Sequence, residues 1–169
     1  EKKIHVRQLD AGSPPQDFGT VQLTVLHPPA GLFDGSAASG QGDRNNGSLV
    51  IKAGFGSTAF LMTGDIMANA EKSLVERARP DLAGTVLFAP HHGSKTSSSQ
   101  ALIDAVQPAV VVISAGTGNR FGFPHAEVLG RYRDAGSRIL TTAIHGAITM
   151  HSDGSDVQTE SFFPNSSIP

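Results

Sequence analysis

Two places in the sequence carry side chains suited to metal-assisted hydrolysis. Thr63-Gly64-Asp65 sets a hard carboxylate at the tip of an apolar run, with a glycine beside it. An aspartate there can also act as a helix N-cap, its side-chain oxygen taking a free backbone N–H of the first turn. Further on, Ala89-Pro90-His91-His92-Gly93-Ser94-Lys95-Thr96-Ser97 places adjacent imidazoles in a Gly/Ser loop after a second apolar run. Imidazole is a common ligand for zinc, iron and manganese. On an irregular turn two neighbours can face one cleft, which the alternation of a strand would prevent. The plainer reading is a histidine pair satisfied by loop hydrogen bonds. The order strand, Asp, helix, strand, His-His favours ligands, because it delivers a carboxylate and imidazoles to one sheet edge. Paired metals held in this way acidify a bound water and stabilise both attacking and leaving oxygens.

The elements that must position these residues follow from periodicity. Val21 to Leu26 alternates as a strand with one buried face, and His27-Pro28-Pro29 stops it. Residues 30–47 are rich in Gly, Ser, Ala and Asn and read as one long flexible loop. Ser48 to Ala53 and Thr58 to Thr63 form a hairpin around Gly54-Phe55-Gly56-Ser57. Helices and strands then alternate, the pattern of an α/β sheet with helices packed on its face. Ala70, Leu74, Val75 and Ala78 make one apolar helical stripe ahead of Pro80, and Thr85 to Ala89 is a buried strand. Ser97 and Gln100 suggest a capping box before Leu102, Ile103 and Val106, and Ala109 to Ser114 reads as a central strand. Pro124 suits the first position of a helix carrying Val128, Leu129 and Tyr132, with Gly136 as its stop. Arg138 to Thr142 and Ala147 to Met150 are expected to finish the core, and residues 163–169 form a frayed tail.

Composition narrows the function classes. With 169 residues, 38% of them hydrophobic, the chain has enough apolar surface for one core and reads as a single domain. Its formal charge of -2 lacks the basic footprint of a non-specific nucleic-acid binder, so any phosphate contact is local. The absence of cysteine excludes a disulfide framework and a thiolate zinc site. No run approaches the roughly 20 apolar residues of a membrane span, and Glu1-Lys2-Lys3 is not followed by a signal-peptide core. The chain is therefore expected to be soluble, whatever its parent. Gly116-Thr117-Gly118-Asn119-Arg120-Phe121-Gly122 superficially suggests a dinucleotide-binding loop, but its spacing is one residue too long and no strand-end acid follows at the required distance. It reads as a flexible loop over the site, with no nucleotide cofactor.

Five segments in order carry a family resemblance: Leu26-His27-Pro28, Asn45-Asn46-Gly47-Ser48-Leu49-Val50, Phe60 to Asp65, Pro90 to Ser97, and Gly122-Phe123-Pro124-His125. From about Val21 to Gly154 the chain resembles the C-terminal soluble domain of ComEC-type DNA-internalisation competence proteins. The resemblance implies a metallo-β-lactamase-like αββα sandwich. It implies that Asp65 bridges two metals and that His91-His92 is the last histidine motif, either ring ligating while the other holds phosphate. All three are thus candidate catalytic and metal residues. Asn45, Asn46 and Ser48 lie where many relatives place another ligand histidine, and an amide oxygen there suits manganese or magnesium as well as zinc. Asn46, Ser48, Ser94, Lys95 and His125 are candidate substrate contacts, with Arg120 a further phosphodiester donor. His5, His27, His145 and His151 show no ligand spacing and read as structural.

The chain departs from the family in two ways. Phe123 and Ala126 interrupt a pattern that usually reads Gly-His-Pro-His-Pro. The signature His-x-His-x-Asp-His, which supplies most ligands of both metals, has no match. Residues 1–162 are therefore read as the C-terminal portion of such a domain, inactive alone and binding metal weakly or not at all. The implied activity of the parent is a manganese- or zinc-dependent nuclease processing a DNA strand during uptake. Its implied partner is a transmembrane channel domain in the cytoplasmic membrane, with this domain extracytoplasmic. The alternatives are another hydrolase of the fold, of lactonase or phosphorylcholine esterase type, and a degenerate non-catalytic domain kept for DNA binding or structure.

Overall fold

The computed structural model describes residues 7–31 and 44–163. Outside them lie Glu1-Lys2-Lys3 and His5, positions 32–43 of the expected loop, and positions 164–169 of the expected tail. Seven strands form one sheet in chain order: β1 (Gln16–Phe18), β2 (Val21–His27), β3 (Val50–Phe55), β4 (Thr58–Met62), β5 (Val86–Phe88), β6 (Val110–Ile113) and β7 (Arg138–Thr141). The first four pair antiparallel, and β4 to β7 pair parallel. Helices α1 (Ala68–Ala78), α2 (Gln100–Val106) and α3 (Ala126–Asp134) join successive parallel strands. Right-handed crossovers stepping in one direction place all three helices on one face, and α1 packs on α2 and α2 on α3. The fold is mixed α/β, as the alternation of periods predicts.

The core lies between this helical layer and the sheet. Leu61, Leu87 and Val111 meet Leu74, Leu102, Ile103, Val128 and Tyr132, all essentially out of solvent. Each such leucine-sized side chain stabilises the fold by roughly 1.5–3 kcal/mol. Alternation sends Phe60, Met62, Phe88 and Val110 to the opposite face. That face is apolar too: Val86 and Val112 on it are buried, whereas Phe88 is 37% exposed and Phe60, Met62 and Val110 are half-buried, so it is covered only in part. Parallel sheets are ordinarily covered on both sides.

Three expectations need correction. Residues 147–150 do not join the main sheet. They belong to β8 (Ile148–Ser152), which pairs with β9 (Val157–Ser161) in a separate hairpin. Both β1 and β9 have a single apolar residue and so no legible period. The hairpin is fastened to the β3–β4 turn by Ser57 N–H donating to Gly154 O at 2.7 Å, and to β7 by Arg138 donating to Thr159 Oγ1 at 2.9 Å. Secondly, α2 is capped by Ser99, whose side chain accepts from Leu102 N–H, and not by Ser97. Ser98 has φ of 57°, outside the helical range, so the helix cannot begin earlier. Thirdly, α3 begins at Ala126 with His125 as N-cap and not at Pro124. Pro124 packs instead on Gly93, where an added Cβ would lie 2.7 Å from the proline Cβ.

Candidate functional site

The C-terminal ends of the four parallel strands carry the chemistry, as open α/β sheets lead one to expect. Beyond β4, Thr63 donates its hydroxyl to Phe88 O at 2.7 Å, tying the first strand end to the second. Gly64 has φ of +56°, and a Cβ there would stand 2.9 Å from Ser48 Cβ, so only glycine fits. Asp65 N–H donates to Ser48 Oγ at 3.2 Å, and Met67 N–H donates to Asn46 Oδ1 at 3.0 Å. Asn46 and Ser48, singled out as substrate contacts, thus have these oxygens engaged by the backbone on either side of Asp65. Asp65 itself is no helix cap: α1 starts at Ala68, with Met67 as N-cap and no side-chain cap bond. Its carboxylate is left facing the cleft.

Beyond β5 the backbone turns through three successive left-handed residues, His91 (φ 49°), His92 (φ 56°) and Gly93 (φ 76°). A left-handed residue with a Cβ costs roughly 1–2 kcal/mol, and such strain persists only where surroundings over-determine it. Here they do. His91 N–H donates to Gly64 O at 3.1 Å and His125 N–H to Gly93 O at 3.0 Å. Lys95 N–H donates to His125 Nδ1 at 3.2 Å. Buried Ser97 donates its hydroxyl to Pro90 O and Ser94 O. His125 is accordingly a clamp on the histidine loop. Ser94 is buried with its hydroxyl on Thr96, whereas the Lys95 and Arg120 side chains are exposed.

The two histidines end in different settings. His92 Nδ1 lies 2.7 Å from Ser114 O. A carbonyl can only accept, so the ring proton sits on Nδ1 and the Nε2 lone pair is presented outward, the tautomer of a metal-ligating histidine. That Nε2 stands 3.5 Å from Asp65 Oδ1, with side-chain exposures of 48% and 43%. Two lone-pair atoms facing each other repel unless a hydrogen-bond donor or a cation bridges them. His91 turns the other way, with Nε2 3.5 Å from Asn45 Nδ2 and its ring edge-on to Phe123 at 5.6 Å.

Asp65, His91 and His92 line one cavity of about 560 Å³ with Asn119, Phe121, Phe123 and Thr142. The loop after β6 is cross-tied by Asn119, which donates to Gly116 O and Phe123 O and accepts from Phe123 N–H. Sequence reasoning passed over Asn119, Phe121 and Phe123 as binding residues. The available signal was an aromatic pair inside a Gly-rich loop after a central strand, where nothing needs burying.

Competence protein ComA of Neisseria gonorrhoeae is 39% identical to the chain over 106 residues. ComE operon protein 3 of Bacillus subtilis (strain 168) is 35% identical over 105 residues, and Recombination protein 2 of Haemophilus influenzae is 37% identical over 107. The chain is similar to competence proteins. The matches cover 62 or 63% of it but only 13 to 15% of the relatives, so it spans about one seventh of their length. No family model matches it. Among the described residues, no helix is long and apolar enough to cross a membrane.

The metal that the resemblance implies can be tested against the donors present. Asp65 Oδ1 and His92 Nε2 fit one shared cation in type, tautomer and separation. Among the described residues, however, no group of three or more His, Asp or Glu side chains could hold a metal. The fit is that of half a coordination shell. The strain has a consequence of its own: His91→Gly is expected to be more stable than His91→Ala by about 1 kcal/mol, raising Tm by about 2–4 °C, because glycine alone relieves the left-handed backbone. Thermal unfolding of the two variants checks this, and an equal or lower Tm for the glycine variant would show that the turn is unstrained.

Proposed function

We propose that this chain is the C-terminal part of a metallo-β-lactamase-like αββα domain, and that the complete domain hydrolyses DNA phosphodiester bonds during uptake by a competence protein. The observation that carries this reading is the facing pair of Asp65 Oδ1 and His92 Nε2 at 3.5 Å, at the mouth of a cavity large enough for a nucleotide unit. The names of the relatives supply the competence context. The apolar second face of the sheet, with Phe88 part-exposed, supports a further β-layer supplied by another part of a longer protein. The membrane channel and an extracytoplasmic position for this domain belong to the same proposal.

Asp65 and His92 would hold a divalent cation, manganese or zinc. Such a cation supplies an acidified water and neutralises charge at phosphorus. The other steps fall to the chain's own groups. The Ser114 carbonyl keeps the His92 proton on Nδ1. His91, half-buried in the cavity wall, can donate to a phosphate oxygen or hold the leaving group's proton. Exposed Lys95 and Arg120 can pair with flanking phosphates. The test is cleavage of labelled single- and double-stranded DNA, with manganese or zinc, by this chain and by a version extended upstream. The expected result is metal-dependent cleavage by the extended protein alone. Cleavage of small esters but not DNA by the extended protein would assign it to a different hydrolase class, and inactivity on both would leave a degenerate domain.

A further inference from the structure

The cavity wall beyond β6 holds an aromatic surface that the metal-side chemistry does not use. Phe121 is 58% exposed although it lies in an ordered, cross-tied loop. Its ring runs nearly parallel to Phe123, at 5.4 Å and 19°. Phe123 in turn lies nearly parallel to the His92 ring, at 6.5 Å and 23°. The three rings form a staircase from solvent to the candidate metal ligand. The Arg120 guanidinium rests over Phe121, 4.8 Å from its centroid. A large aromatic exposed beside a reactive cavity, with a cation laid on it, is a surface for a planar, anion-bearing ligand.

We infer that Phe121 and Arg120 form a nucleobase subsite, in which a base of single-stranded DNA stacks on the Phe121 ring while the guanidinium moves to that nucleotide's phosphate. The inference rests on the nuclease reading for its substrate but concerns binding alone. Magnitudes favour the exchange. An exposed cation–π contact is worth about two- to fivefold in an equilibrium, whereas base–aromatic stacking is worth about five- to 150-fold per base. The arginine also gains a charge-assisted bond when it leaves the ring. The subsite predicts a preference for single strands, since a base within a duplex has no free face to offer. It further predicts tolerance of base identity, because every base has a π-face. The -2 net charge is no obstacle, because the attraction is local to Arg120.

The test measures binding by this chain of a fluorescent oligothymidylate of about ten nucleotides, against the same backbone made entirely of abasic sites, in EDTA. The wild type is expected to bind the base-bearing strand about tenfold or more tightly, and Phe121→Ala to erase that difference without lowering abasic affinity. Because the chain has no tryptophan, Phe121→Trp introduces a single reporter, whose emission should be quenched by oligothymidylate and not by the abasic strand. Arg120→Ala should weaken both strands alike. Equal wild-type affinity for the two strands, or a preference that survives Phe121→Ala, overturns the subsite. Failure of the nuclease reading would register separately, as absence of cleavage by the extended protein with the base preference intact. Phe121 is exposed and its truncation opens no core void, and an unchanged Tm for Phe121→Ala verifies that.

Discussion

In the upstream-extended protein, Asp65→Asn is expected to reduce DNA cleavage by about a thousandfold while leaving stability within about 1 kcal/mol of wild type. Both halves follow from the same geometry. Asparagine keeps the shape of the side chain and can present an N–H to the His92 Nε2 lone pair now facing Asp65 Oδ1 at 3.5 Å. The substitution thereby satisfies the histidine with a neutral donor and removes the need for a cation between them. Losing a charged ligand forfeits several kcal/mol of charge stabilisation in the transition state, and each 1.36 kcal/mol is a factor of ten in rate. On the stability side, the Asp65–His92 pair is nearly half exposed on both partners, so solvent screens it and little is lost. The backbone bonds to Ser48 and Asn46 that hold the turn do not involve the carboxylate. Steady-state cleavage and thermal unfolding on the same preparation are the measurements. Cleavage within about tenfold of wild type would remove Asp65 from the reaction.

How much of this site is legible in sequence depends on what each residue does for its backbone. Asp65 and His91-His92 announce themselves because polar residues at the ends of apolar strands have no packing role to hide behind, and the structure brings all three to one cavity. The hairpin over β3 and β4 and the alternating β/α order are legible for the same reason, since periodicity reports burial directly. Ser97 misleads because a serine three residues before glutamine resembles a cap, while the actual constraint is tertiary: a carboxylate on α1, far away in sequence, takes the N–H groups of Ser98 and Ser99. Asn46 and Ser48 read as substrate contacts because short polar residues in a loop look alike whether they face ligand or hold a neighbouring turn. The staircase of Phe121, Phe123 and His92 was invisible for the converse reason. Exposed aromatics leave no period, and only coordinates show that they align.

That distant carboxylate carries a large stability effect of its own. Glu71 is fully buried in α1. One of its oxygens accepts from Ser98 N–H and the other from Ser99 N–H. Arg131 from α3 donates to Ser97 O and Ser98 O, and Tyr132 donates its hydroxyl to Ser98 Oγ at 2.8 Å. One segment leading from the histidine loop into α2 is thus held from both flanking helices. Glu71→Ala leaves two backbone donors without their acceptor beside a new void, at roughly 1–3 kcal/mol each. The expected loss is about 3 kcal/mol, a fall in Tm of about 10 °C, with Glu71→Gln falling less because one acceptor oxygen remains. Burial raises the Glu71 pKa, outweighing the bonds from Ser99 and Ser98 and the Arg131 charge. A carboxyl whose folded value lies above its unfolded one contributes most stability below the unfolded value, and loses it as pH rises through the folded value. Acidification from neutral towards the ordinary glutamate range therefore favours wild type over Glu71→Ala, and the gap in Tm should widen. A simple Glu71–Arg131 ion pair would make the gap close instead, so thermal scans of both proteins at pH values spanning that range decide which force holds the histidine loop in place.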